Sequence, residues 1–499
     1  MNNAKYIGIN NTFRKEKVGR GLLVDATTIK TLPMLIAFAI WAVSILLYFF
    51  APNEYSYKYC VLIFIVYLIS SIWIIRRTVI NKNYFNFHTL FLISFLFVNF
   101  IYPIFLYPVS PTYFSVFKKS FDETVITKAT ALAVLGSSSY ILGVSICLRK
   151  KYPPPIQRKI KTEKLQYLLS YLVYFIFAVI LCFTGKEIIL GRFGSTSTIP
   201  PGLLAIFQVT IGVAVILELG RKKYNGSIFS YIRRINKSIL VLFFFYVFLF
   251  LYVGDRGPAI QIILITLCAF SLLVLPIKWK GLIFIVLAGM LILTFIGYAR
   301  SKNITASEAG VNNFISRGAA KFEVNSVVDI GMDLIVNNRN LYVGYDYANK
   351  NGLSYGKSMI RYLFAPFPGI PGFTTYVLFD STPNDLSSGT IITDISHSTY
   401  GLGSNIVIDL YMGFGLIGVV FFMFLLGFAV IKLQIKAHQR IKFGYVIGYI
   451  FLVAYSIYLP RSTVFEPLRH ILWAIGLFYF LKEFAFKLFP HKDRALVIK

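Results

Sequence analysis

Twelve stretches of this sequence are apolar and nearly free of charge: 32–51, 59–75, 88–107, 129–148, 165–183, 202–219, 238–253, 259–276, 281–298, 405–431, 443–459 and 468–486. A helix of ~20 apolar residues crosses the ~30 Å hydrocarbon core of a bilayer, and most of these runs match that length. A chain of 499 residues that is 57% hydrophobic and 14% charged cannot hide so much apolar surface in soluble cores. An outer-membrane barrel would instead alternate polar and apolar residues over segments of about 10 residues, and that period is absent. The fold class is therefore an all-α polytopic membrane protein with about twelve transmembrane helices. The sixth stretch is the least regular, because Pro200, Pro201 and Gly202 crowd its start.

Residues 1–30 are polar and basic, and the first apolar run is longer than a secretory h-region. The first span is expected to stay as an anchor. Cys60, Cys147, Cys182 and Cys268 all fall in apolar runs without metal-ligand spacing, so neither a disulfide framework nor a zinc site is expected.

A net charge of +29 raises the question of nucleic acid, and its distribution answers it. With the N-terminus placed in the cytoplasm, the inner segments carry 33 Lys+Arg against 6 Asp+Glu, and the outer segments 17 against 15. Short inner loops such as RKKYPPPIQRKIKTEK (149–164) and RKKYNGSIFSYIRRINK (221–237) hold much of the excess. This is the positive-inside pattern; it marks topology and favours anionic lipid, and no nucleic-acid partner is expected. One segment breaks the rhythm of short loops. Residues 299–404 form a long outward stretch with nearly balanced charge. It contains the amphipathic piece FEVNSVVDIGMDLIVN (322–337) and the turn-rich FAPFPGIPGF (364–373). The expected organisation is a nine-span bundle over 1–298, an extracytoplasmic lid over 299–404, and three further spans over 405–499 with a cytoplasmic C-terminus.

Polar groups gather at the outer span ends. In YVGDRGPAIQ (252–261) Gly254, Gly257 and Pro258 frame Asp255 and Arg256 on a tight turn. A boundary arginine can simply snorkel to headgroups. Here it has company: Arg300 ends span nine, and Arg461 lies in LPRSTVFEPLRH (459–470) with Arg469 eight residues on. Guanidinium groups from separate junctions that converge outside suit a phosphate-bearing ligand, which they bind bidentately at any working pH. The plainer alternative pairs Arg461 and Arg469 with Glu466. A second cluster closes the long loop in TDISHSTYGLGSNIVIDLYMGFGLIG (393–418), where His397 stands close to Asp394. A histidine near a carboxylate can act as a base near neutral pH. Asn405 is placed to cap span ten. Asp409 falls in the first turn of that span, where it either complements the helix dipole or braces an arginine or a sugar hydroxyl. No P-loop, HExxH or GxSxG motif stands in an outer loop, which removes ATP hydrolysis, metalloprotease and serine-hydrolase readings.

With GDRGP at a span junction, Arg300 before a long outer loop and SNIVIDLYMGFGLIG (404–418) after it, the chain resembles the O-antigen/capsular polysaccharide polymerase (Wzy) family and the related O-antigen ligases. The resemblance implies a GT-C-like architecture in the bacterial plasma membrane. It implies a glycosyltransferase that joins polyprenyl-diphosphate-linked oligosaccharide repeat units at the outer face, with no cofactor, metal or nucleotide. By the same resemblance, Arg256, Arg300 and Arg461 bind the donor diphosphate, His397 with Asp394 serves the acceptor hydroxyl, and Asp255 and Asp409 support. The lid tyrosines Tyr342, Tyr345, Tyr347, Tyr355, Tyr362, Tyr376 and Tyr400 are candidates for stacking on sugars. A chain-length regulator and a flippase are the implied partners. A ligase-type glycan transferase and a lipid-linked oligosaccharide flippase are the alternatives. A flippase would show charges within spans and two similar halves rather than one long outer loop.

Overall fold

Backbone polar groups in lipid must be satisfied within the segment, and a helix does this for an isolated apolar run. Each of the twelve apolar stretches holds one. The computed structural model describes residues 31–114, 117, 121–148, 163–192, 199–221, 226–299, 310–321, 331–398 and 400–488. The apolar helices before the long loop are α1 (Thr31–Phe49), α2 (Tyr57–Thr78), α3 (Phe87–Asn99), α4 (Ile126–Ser145), α5 (Glu163–Cys182), α6 (Pro201–Arg221), α7 (Lys237–Val253), α8 (Arg256–Leu273) and α9 (Trp279–Ala299). The loop itself carries α10 (Val311–Lys321), α11 (Asn338–Asn351), α12 (Lys357–Leu363), α13 (Ile370–Phe379) and α14 (Ser388–Ile395). After it come α15 (Ile406–His438), α16 (Phe443–Ala454) and α17 (Leu468–Leu488). Among the described residues there is no strand, only an isolated bridge between Ile80 and Asn83. Among the described residues, eight helices are long and apolar enough to cross a membrane: α1, α2, α4, α5, α6, α8, α9 and α15. The apolar helices α3, α7 and α16 are shorter.

The centre of the molecule is the pair α4 and α15. The first is almost wholly buried and is built from small residues (ATALAVLGSSSYILG, 129–143). Gly143 and Gly427 let the two backbones touch. A Cβ on Gly143 would stand 2.0 Å from the Phe424 carbonyl oxygen, and one on Gly427 2.1 Å from that of Tyr140. Small residues at a helix crossing permit this approach, which packing and interhelical contacts reward inside a membrane. Around this pair α1 and α2 pack on α4, with Trp41 Nε1 of α1 donating to Ser139 Oγ at 3.1 Å. A second group forms through the contacts of α6 with α5, α8 and α17, and of α16 with α8, α15 and α17.

The sequence predicts a single span over 405–431; the structure has one helix across that range, Ile406–His438, which kinks within it. At ~1.5 Å per residue a continuous α15 would be ~50 Å long, well beyond the ~30 Å apolar core. The helix breaks instead at Phe414 and Gly415 and continues to His438. Gly415 sits at φ 63°, ψ −153°, a region that only glycine adopts without strain. The piece ahead of the break belongs to the loop: Ser354 N–H donates to the Met412 carbonyl at 2.7 Å.

The connections fall into two sets that touch within themselves. On one side the turn after α2 meets the turn after α15 through Asn81 and His438 (3.1 Å), and Arg440 donates to the Leu272 carbonyl (3.2 Å) at the end of α8. On the other, Thr127 Oγ1 donates to the Glu54 carbonyl (2.9 Å), and the Gly310 N–H donates to Tyr252 Oη (3.1 Å).

Two substitutions test this frame. Gly427→Val forces α4 and α15 apart and is expected to cost ~3 kcal/mol, read as a lowered unfolding temperature in detergent. Gly415→Ala is expected to cost ~1–3 kcal/mol through backbone strain alone; an unchanged melting curve would show that the break is not held at that residue.

Candidate functional site

The α7–α8 corner places the first of the expected arginines. Gly254 ends α7 in a left-handed conformation (φ 84°), Asp255 takes the N-cap position, and α8 begins at Arg256. Pro258 falls within the first turn, where a missing N–H removes no helix bond. An arginine at the positive end of a helix dipole needs acceptors from elsewhere. Arg256 Nη1 donates to the Leu293 carbonyl of α9 at 2.7 Å and to the Asp333 carboxylate, with which it forms an ion pair. Gly297 of α9 leaves the room: a Cβ there would lie 3.3 Å from Arg256 Nη1.

Asp333 sits on the helical turn Met332–Ile335, which packs against α3. Its backbone carbonyl accepts from Arg461 Nη1 at 3.3 Å and from Asn337 Nδ2 at 2.7 Å. Arg461 comes from the 3₁₀ turn Leu459–Arg461, its guanidinium 5.9 Å from the Tyr458 ring. Two of the three expected arginines therefore converge on one residue of the loop. The Tyr458 hydroxyl lies within electrostatic reach of Arg256, Arg461, Asp333 and Asp255 together. The Arg256 side chain is 14% exposed and that of Asp333 40%, so the junction is open on the carboxylate's side. Among the described residues, only Nη1 of Arg256 and Nη1 of Arg461 are engaged by protein acceptors. The remaining N–H groups of both forks can take oxygen atoms of a ligand. Arg300 lies outside the described residues.

The second cluster divides. Asp409 is buried, and it meets hydroxyls rather than a guanidinium. Its Oδ1 accepts from Ser388 Oγ at 2.6 Å and Ser358 Oγ at 3.0 Å, and Ser388 also bonds Ser404 at 2.7 Å. The carboxylate thus ties α12, α14 and the GLGSN segment to the first turn of α15. Asn405 caps that helix by accepting from the Val407 N–H at 3.0 Å, and its amide donates to Asn99 of α3 at 2.8 Å. Asn340 of α11 donates to the carbonyls of Leu402, Gly403 and Ser404.

His397 and Asp394 are both exposed, at the end of α14. Their link is through the backbone: His397 N–H donates to the Asp394 carbonyl at 3.0 Å. His397 adopts φ 48°, an uncommon conformation that histidine tolerates better than bulkier residues. Of the lid tyrosines, Tyr342 and Tyr345 are packed in the interior, whereas Tyr355, Tyr376 and Tyr400 are exposed.

Sequence reasoning missed Asp333. It lies in an amphipathic segment as one acidic residue among several in the loop, and only the fold brings it between two arginines. Arg339 was missed too; it is 6% exposed on α11, and burial depresses its pKa while neighbouring Tyr400 raises it.

The model of one protein family, described as O-antigen polysaccharide polymerase Wzy, matches residues 32–494. The chain belongs to the O-antigen polysaccharide polymerase Wzy family. No curated protein and no solved structure matches it. The Wzy family acts on lipid-linked oligosaccharide repeat units, and its apolar helices make this member a multi-pass membrane protein of polysaccharide biosynthesis. In this Wzy polymerase the arginine junction and the serine-held Asp409 both depend on the long loop. Ser388→Ala removes a donor from the buried carboxylate and is expected to cost ~1–3 kcal/mol. Asp394→Ala, on an exposed helix end, is expected to stay within ~0.5 kcal/mol. Thermal unfolding of both variants in one detergent makes the comparison; equal losses would remove Asp409 as the tie.

Proposed function

We propose that the chain joins polyprenyl-diphosphate-linked oligosaccharide repeat units into O-antigen or capsular polysaccharide at the outer face of the bacterial plasma membrane. The reading includes twelve spans, an outward 299–404 loop as lid between the 1–298 and 405–499 bundles, and a GT-C-like architecture. The observation that carries it is the convergence of Arg256 and Arg461 on Asp333.

The reaction follows from the leaving group. The bond between the donor sugar C1 and the diphosphate oxygen breaks, and a hydroxyl oxygen of the acceptor unit forms the new bond to C1. Polyprenyl diphosphate departs with the electron pair. Arg256 and Arg461 hold the diphosphate and stabilise the charge that develops on it. Asp333 keeps the two forks in register before the ligand arrives. Arg300 follows directly on Ala299, the last residue of the helix that contacts Arg256, and is assigned as the third ligand of the diphosphate. Asp255 closes the turn beneath Arg256. His397, one turn beyond Asp394, takes the hydroxyl proton or positions the acceptor, and Asp409 holds the lid to α15. The anhydride leaving group is already activated, so the reading needs no nucleotide, metal or cofactor. A chain-length regulator and a flippase are its expected partners.

Purified protein incubated with lipid-linked repeat units of the native host, without nucleotide, is expected to yield a ladder of products on a gel. Arg256→Ala and Arg461→Ala are each expected to reduce the rate ~100-fold or more. Arg256→Lys is expected not to restore it, since an ammonium cannot reproduce the planar fork. A full-rate ladder from Arg256→Ala would return that residue to a structural role. A single transfer to a non-repeating acceptor would favour a ligase, and substrate binding with no product a flippase.

A further inference from the structure

Away from the Arg256 junction a second pair of guanidinium groups lines an open groove of about 640 Å³. Leu203 and Ile206 of α6 form one wall, Arg361 and Phe367 another, and Arg469 and Trp473 of α17 a third. Arg361 Nη1 donates to Asn384 Oδ1 at 2.6 Å, and the Arg469 guanidinium lies 5.7 Å from the Trp473 ring. Glu466 is half-buried nearby; burial raises its carboxyl pKa, while Arg469 and Arg361 pull it down. One carboxylate thus answers two guanidinium groups, and the groove keeps positive charge.

The depth of the groove follows from what it touches. Trp473 Nε1 donates to the Pro366 carbonyl at 2.7 Å, which pins the loop to the second turn of α17. Leu203 and Ile206 belong to α6, one of the helices long enough to span. Next in the chain, α13 exposes Phe373, Tyr376, Val377 and Leu378 at 68%, 67%, 59% and 61%. An exposed apolar face of this kind suits contact with lipid.

We propose that this groove is a second isoprenoid-diphosphate site, open sideways to the bilayer, separate from the Arg256–Arg461 junction. The inference rests on the polymerase reading above and deepens it. Joining two lipid-linked units requires the enzyme to hold two diphosphates, of which one leaves and one stays bonded to the product. The junction at Asp333 takes the one that leaves; the groove takes the one that is kept. Arg361 and Arg469 bind its phosphate oxygens in bidentate fashion. Phe367 and Trp473 flank the first isoprene units, and the exposed face of α13 continues along the prenyl chain. The volume is within the ~300–1,000 Å³ usual for ligand sites.

The test is the stoichiometry of undecaprenyl diphosphate bound to the full chain in phosphatidylcholine nanodiscs. Wild type is expected to bind two equivalents. The double variant Arg361→Gln/Arg469→Gln, and separately Leu203→Trp, which fills the groove, are each expected to bind one. Arg256→Ala is also expected to bind one, and the surviving event in each variant reports that the protein is folded. One equivalent in wild type, lost only on changing Arg256, would overturn the second site and leave the polymerase reading intact. One equivalent lost only in the groove variants would keep the groove and remove the diphosphate from Arg256. Displacement of the groove-bound equivalent by excess phosphatidylglycerol would overturn the proposal by making the groove a general anionic-lipid site.

Discussion

The contact between the backbones of α4 and α15 at Gly143 and Gly427 is the constraint on which the arrangement depends. Lipid offers no hydrophobic force between apolar helices, so a crossing this close comes from surface shape. It buries nearly all of α4 and fixes the axis of α15. The loop then hangs on that axis. Ser354 bonds the end of its outer piece, Asp409 gathers Ser358 and Ser388 at its start, and Asn405 links its cap to α3. The junction at Asp333 is positioned by this chain of contacts, because Asp333 packs on α3 and its neighbour α11 rests on α15.

Two carboxylates, Asp333 on the loop and Asp409 on α15, do opposite work. Asp409 is buried and committed to serine hydroxyls, and it holds the loop in place. Asp333 is partly exposed and is shared by two guanidinium groups through its side chain and its carbonyl. A loop–helix tie and a charge shared by two guanidinium groups are told apart here by burial and by the type of donor rather than by sequence neighbourhood.

Much of the helix architecture was legible because hydropathy is a local signal: all twelve apolar stretches contain a helix. The break in α15 was not legible from hydropathy, since MGFGLIG stays apolar throughout and only backbone geometry distinguishes Gly415 from Gly413 or Gly418. The meeting of Arg256 and Arg461 was expected from their places at separate span junctions, and both reach Asp333. Their partner was not: Asp255 is adjacent in sequence, whereas the ion pair is made by Asp333, 77 residues away. The carboxylate of Asp409 could be placed in a helix's first turn from sequence, but the serines that meet it come from two loop helices whose docking only the fold reveals.

Arg461 lies in the connection between α16 and α17 and Arg469 in the first turn of α17, and they face different surroundings. Eight residues of chain reach at most ~28 Å even when fully extended. The α-carbons of the two arginines cannot be farther apart than that, whatever the loop above them does. A covalent ruler of this kind bounds the separation of anything the two side chains grip.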